Sequence, residues 1–164
     1  MAEKSDSKSK DLAAAMVALV RSFGLHRPDE TPCGEPVPVA EAHALMDLAA
    51  EGPLNHGELA ARLRLEKSTV SRLVRQLEKR KWIKRVSAAH DRRVIHIQLT
   101  PSGQAAAQRL ADARHSKFND LLAALPKAKR AAVLEAMSTL VSAMDRRQSR
   151  KLAPPFIPSI RRRS

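Results

Sequence analysis

The chain lacks tyrosine altogether and carries one tryptophan, three phenylalanines, one cysteine and five glycines among its 164 residues. Without aromatic bulk, its core must be built mostly from aliphatic side chains. The single Cys33 excludes an internal disulfide and disfavours a secreted disulfide framework; in the linker it is taken as inert and not as a redox sensor. The few glycines form no glycine-rich phosphate loop, and there is no His-x-x-x-His pair, no Cys-x-x-Cys pair and no nucleophile elbow. No catalytic constellation is in view, so an enzyme, a metal centre and a cofactor are not expected. The longest uninterrupted apolar run, Leu12 to Val20, is too short to span a bilayer. The start, Met1-Ala2-Glu3-Lys4-Ser5-Asp6, has no signal-peptide pattern, so a cytoplasmic protein without a membrane partner is expected.

What the chain does have is positive charge, and that charge is concentrated. Thirty Lys and Arg face 17 Asp and Glu, a formal net of +13. Residues 61–93 hold twelve basic and three acidic residues, and residues 146–164 hold seven basic and none acidic. Elsewhere the balance is slightly acidic. Charge gathered around one segment points to a positive face opposite a polyanion, most simply nucleic acid.

Apolar periodicity places the helices. Leu12, Met16, Leu19, Val20 and Phe23 make one stripe of a helix over 11–24 that stops near Gly24, while residues 1–10 are polar and expected to be flexible. Pro28, Pro32, Pro36 and Pro38 break regular structure in a linker, and a second helix fits Val39 to Ala50 before Gly52-Pro53. Asn55 followed three residues later by Glu58 is a capping-box-like start for a short helix over 56–63. After a tight turn at 63–66 comes a basic amphipathic helix from Glu66 to Arg80, with Val70, Leu73, Val74 and Leu77 as its core stripe. Ser68, Arg72, Arg75 and Lys79 fall on the opposite face, flanked by Thr69, Ser71 and Gln76.

That helix runs into a hairpin. Trp82 to Val86 forms one strand, Ala88 to Arg93 a polar tip with two arginines, and Val94 to Thr100 the returning strand, in which Ile95, Ile97 and Leu99 alternate with His96 and Gln98. Thr100-Pro101 then reads as an N-cap with proline in the first helical position, opening a long helix to about Leu125. Pro126 restarts a last helix with the stripe Val133, Met137, Leu140, Val141 and Met144. The fold class is therefore mainly α with a small β-hairpin, a winged helix-turn-helix over 38–100 flanked by dimerisation helices in 11–37 and 101–147, with a Pro/Arg-rich tail at 148–164. Short hydroxyl side chains at the start of the basic helix permit close approach in a major groove, and Arg72 and Arg75 are long enough to reach guanine or a phosphate. A solvated surface helix is the plainer account of a basic helix in isolation. A sequence-independent architectural or RNA-associated binder, and a winged helix used for protein contact, remain as alternatives.

The stretches Glu58-Leu59-Ala60-Ala61-Arg62-Leu63, Ser68 to Arg80, Asp91-Arg92-Arg93 and Leu99-Thr100-Pro101-Ser102-Gly103 together resemble the MarR family of transcriptional regulators, over about residues 11–147. The resemblance implies a homodimer with interlaced terminal helices and two winged lobes on a pseudopalindromic DNA duplex. It implies that Arg93 enters the minor groove, that Arg92 takes a phosphate, and that Asp91 orients an arginine and does not touch DNA. Three features depart from the family pattern: Lys81 where a glycine usually follows the recognition helix, Glu66 as a poor N-cap, and the basic tail. Relatives often respond to a small lipophilic or phenolic ligand, and His43, Asp112 and His115 are the candidate residues of such a crevice here, with His26 and Cys33 nearby in sequence. The spacing of these groups carries no metal motif. The expected activity is regulation of transcription, as a repressor released by a small-molecule effector.

Overall fold

The computed structural model describes residues 2–87 and 95–149. Its elements in order are α1 (Ala2–Phe23), α2 (Val39–Glu51), β1 (Leu54–Asn55), α3 (His56–Leu63), α4 (Lys67–Lys79), β2 (Ile83–Ser87), β3 (Ile95–Leu99), α5 (Pro101–Ala124), a 3₁₀ turn (Lys127–Lys129) and α6 (Arg130–Ser149). Helices with a small antiparallel sheet match the mainly α expectation. The chain divides into two units, Met1–Ser116 and Lys117–Ser164.

Helix ends follow the sequence signals. Gly24 and Gly52 sit just past α1 and α2 with φ of 87° and 86°, a backbone conformation that glycine adopts without penalty. The Asn55 side chain accepts hydrogen bonds from the amides of Gly57 (2.8 Å) and Glu58 (3.0 Å), and the Glu58 carboxylate accepts from the Asn55 amide at 2.7 Å. The capping box read from the sequence is thus complete. Arg64 closes α3 in the left-handed region, which turns the chain sharply into α4.

The core of the first unit is aliphatic, as the shortage of aromatics requires. Leu45 from α2, Leu59 from α3, Val70, Val74 and Leu77 from α4, and Ile97 from β3 are its fully buried centre. Ala42 and Ala44 on α2 and Ala106 and Ala107 on α5 are also buried, small side chains that let the helices approach closely. The strand order is β1-β3-β2, with Leu54 opposite Ile97 on one side and Arg85 opposite Ile97 on the other. In the proline-rich linker Thr31 and Val37 are buried, and the Thr31 and Glu35 backbones are joined by a 2.8 Å hydrogen bond. Its loop is irregular yet packed. In the second unit, Arg130 Nε and Nη2 donate to the carbonyls of Leu125 and Ala123 at 3.3 and 3.4 Å, placing a cation on the negative end of α5.

Three elements differ from the sequence reading. Helix α1 starts at Ala2 and not near Asp11; residues 2–10 hold no glycine or proline to stop a helix, but their polar surface leaves no periodicity to reveal one. Strand β1 was not expected, being two residues long and defined only by its pairing with β3. Helix α6 starts after a 3₁₀ turn at 127–129 and not directly at Pro126.

Candidate nucleic-acid interface

Helix α4 presents two chemically opposite faces. Val70, Leu73, Val74 and Leu77 are buried, whereas Ser68, Thr69, Arg72, Arg75, Gln76 and Lys79 are exposed. The positions expected on the polar face from 100° spacing are therefore on the surface of the first unit. Ser71 is half-buried, and its hydroxyl donates to the Lys67 carbonyl at 2.9 Å, leaving its oxygen as an acceptor. Arg75 Nε donates to the Ser71 carbonyl at 3.3 Å, so its stem lies along the helix toward the N-terminal turn. Glu66 stands at the N-cap without a side-chain capping bond, as its chemistry leads one to expect.

The end of α4 is closed in a Schellman arrangement. The Trp82 amide donates to the Leu77 carbonyl at 3.0 Å and the Lys81 amide to the Glu78 carbonyl at 2.8 Å. Lys81 occupies the left-handed position with φ of 60°, where a Cβ is strained. Its carbonyl is held by the Thr100 and Ser102 hydroxyls, which donate at 2.7 and 2.8 Å. The Thr100 amide donates to the Trp82 carbonyl at 2.9 Å, and Gly103 packs directly against that carbonyl. The start of α5 is thus built onto the end of α4. Lys81→Gly is expected to raise stability by about 1 kcal/mol through relief of the left-handed strain, read as a higher urea midpoint at unchanged slope.

Two ion pairs join these elements to their neighbours. Arg80 Nε lies 3.0 Å from the carboxylate of the buried Glu41 on α2, and the guanidinium stands 5.0 Å from the Trp82 ring centroid. Burial pushes the Glu41 carboxyl above its usual range, against the Arg80 charge. Arg85 on β2 donates from Nε and Nη2 to the two carboxylate oxygens of Glu78 on α4, at 2.8 and 3.0 Å. Sequence reading missed both pairs.

His56, at the start of α3, is half-buried near Arg85 and Glu78. Burial and then the Arg85 charge push its imidazole below the usual 6.5, opposed by Glu78. The folded state therefore favours neutral His56, and this contribution to stability is present above pH 6.5 and lost as the pH falls through that value toward the lowered one. His56→Gln is expected to shrink the loss of stability between about pH 7.5 and about pH 5.5 relative to the parent, measured by urea denaturation at both values.

Asp91, Arg92 and Arg93 lie outside the described residues. Of the crevice candidates, His43 is exposed on α2, while on α5 His115 is exposed and Asp112 accepts a 2.9 Å bond from Gln108. His43 is one of a charged set around Asp47. Asp47 is raised by burial, and its carboxylate is favoured by Arg62, His43 and Arg114 while Glu51 opposes it; Arg62 pairs with Glu51 at 3.1 Å. Among the described residues no group of three or more His, Cys, Asp or Glu is disposed to hold a metal ion, and no helix is long and apolar enough to cross a membrane.

Comparison with known proteins agrees with this geometry. Residues 37–95, which cover α2 to the start of β3, match the model of the MarR family. The chain is 28% identical over 102 residues to the transcriptional repressor MprA of Escherichia coli K12, covering 60% of this chain and 58% of that repressor's length. Among solved structures, Streptococcus pneumoniae FabT in complex with DNA superposes with a TM-score of 0.68 at 15% identity, over 85% of this chain and 96% of FabT. PcaV of Streptomyces coelicolor in complex with its natural ligand superposes with a TM-score of 0.61 at 21% identity, over 80% of this chain and 91% of PcaV. At such identities the two superpositions speak for the winged-helix fold, while the family model matches the helix-turn-helix itself. The similarity to the MarR family is thus carried by residues 37–95, set in a chain that has the winged-helix fold.

Proposed function

We propose that this protein regulates transcription by binding duplex DNA as a homodimer, reading a pseudopalindromic site through α4 and the wing. The observation that carries this reading is the exposed face of α4, where hydroxyls lead at Ser68 and Thr69 and cations follow at Arg72, Arg75 and Lys79, all backed by a fully buried aliphatic stripe. Under it, Ser68, Thr69 and Ser71 approach base edges or phosphates, Arg72 and Arg75 read bases, and Lys79 takes backbone phosphate. Arg92 and Arg93, outside the described residues, are assigned to the wing's groove and phosphate contacts, with Asp91 as an orienting group. Residues 38–100 form the DNA-binding lobe in this scheme.

Dimerisation is supported by apolar side chains left in solvent. Leu12, Val17 and Leu19 on α1, Phe118 and Leu121 on α5, and Leu134, Met137, Val141 and Met144 on α6 are all more than 40% exposed. Rows of this kind on helices are what a second copy buries. Occupation of promoter DNA blocks polymerase with no further contact, so repression is the simplest outcome. A ligand that changed the separation of the two lobes would weaken their fit to half-sites about one helical turn apart. That FabT was solved with DNA and PcaV with its natural ligand supports the reading by analogy.

The deciding experiment is binding of the purified protein to duplex from upstream of its own gene and to a scrambled duplex of the same composition, across salt. A preference of about a thousandfold near physiological salt is expected. Equal binding that collapses with salt would mark a sequence-independent binder instead, or an operator elsewhere in the genome.

A further inference from the structure

The basic block that begins at residue 61 contains a carboxylate that needs an explanation. Glu78 sits on α4 between Leu77 and Lys79, in a segment where twelve basic residues face three acidic ones. On a surface meant for a polyanion, an unengaged carboxylate weakens the attraction. Glu78 is engaged. Both its oxygens are taken by Arg85, at 2.8 and 3.0 Å, in the fork-to-fork geometry that fixes the angle between two groups as well as their separation.

Strand register explains how Arg85 gets there. Arg85 pairs with Ile97 and Ile83 with Leu99, and the alternation of a strand puts Ile83 and Arg85 on one face, with Lys84 and Val86 on the other. Ile83 and Ile97 are both buried, so Arg85 leaves the strand on the core side and runs outward along α4 to Glu78. Between the two residues the chain passes through the left-handed Lys81. The ion pair bridges that turn.

We infer that the Glu78–Arg85 pair is a brace setting the pitch of the wing strand against α4, and that Arg85 is a positioning residue and not a phosphate contact. This rests on the DNA-binding reading above. The side chains are 31% and 45% exposed, so the brace contributes little to global stability. Its effect is on the direction in which β2 leaves α4 when that helix is seated in the groove.

Simple charge counting and the brace predict opposite signs. Removing a negative charge with Glu78→Gln strengthens DNA binding if Glu78 is only a repelling group; if it holds Arg85, binding weakens by about five- to tenfold. Four proteins decide this: the parent, Glu78→Gln, Arg85→Gln and the double variant, each titrated against the preferred duplex at several salt concentrations. The brace requires both single variants to bind more weakly, the double variant to be no weaker than the worse single one, and the salt slope to be the same in all. Tighter or equal binding by Glu78→Gln overturns it, as does a slope reduced by about 1 in Arg85→Gln, the mark of a lost phosphate contact. Amide hydrogen exchange over residues 83–87 of the unbound proteins gives a second reading, faster in both single variants with unfolding midpoints unchanged. If the parent binds no duplex, the function above fails, and the exchange result alone decides the brace.

Discussion

Gly103→Ala is expected to cost more than about 3 kcal/mol, a large share of the roughly 5–15 kcal/mol that holds a typical domain folded. A Cβ at this position would stand 1.8 Å from the Trp82 carbonyl oxygen and 2.8 Å from its carbon. All the atoms it would meet are backbone, so no rotamer change relieves the overlap. Either α5 moves away or the Trp82 peptide turns. Moving α5 would break the 2.9 Å bond from the Thr100 amide and pull the Thr100 and Ser102 hydroxyls off the Lys81 carbonyl. A melting midpoint lower by about 6–12 °C or more is the expected reading by circular dichroism. An unchanged midpoint would mean that the helix start and the Trp82 peptide do not meet in solution.

Arg72→Ala and Arg75→Ala carry the second large effect, this time on DNA and not on folding. Both side chains are exposed, so truncation leaves the aliphatic stripe of α4 untouched. If each reads a guanine edge, each substitution is expected to cost about 1–3 kcal/mol on the preferred duplex and nearly nothing on a scrambled one. Arg75 is partly preset by its bond to the Ser71 carbonyl, so less side-chain freedom is lost when it binds, and Arg75→Ala is expected to be the larger of the two. Competition titrations on the two duplexes measure the selectivity directly. Equal losses on both duplexes would reassign these arginines to the phosphate backbone.

The legible part of this molecule was written in short-range chemistry. Gly24, Gly52 and the Asn55–Glu58 box mark helix ends because capping acts over three or four residues, and the buried face of α4 follows from a period of 3.6. The lack of a side-chain cap at Glu66 and the left-handed Lys81 were equally visible, since each is a residue of the wrong kind at a position with a known demand. What escaped was either too short or too distant. A two-residue strand has no period, and β1 exists only through its partner. The Glu41–Arg80 pair joins residues 39 positions apart, and nothing in either neighbourhood singles them out. The charged set around Asp47 likewise draws on α2, α3 and α5. The exposed polar face of α4 was legible because one helix carries all of it, whereas a crevice built from His43, Asp112 and His115 would draw on separate elements, whose approach no local pattern records.

The seam between Trp82, Thr100 and Gly103 makes α4 a lever arm. At about 1.5 Å per residue its 13 residues reach roughly 20 Å from the fulcrum, so a turn of about 5° there sweeps the far end by about 1.7 Å. That far end carries Ser68 and Thr69, whose short side chains have no slack to follow a moving target. Hydrogen bonding fails over a displacement of this size. Because Val70 and Val74 of α4 are fully buried, such a turn has to carry the packed α2 and α3 with it, so a tilt at the start of α5 reaches the tip as a movement of the whole lobe.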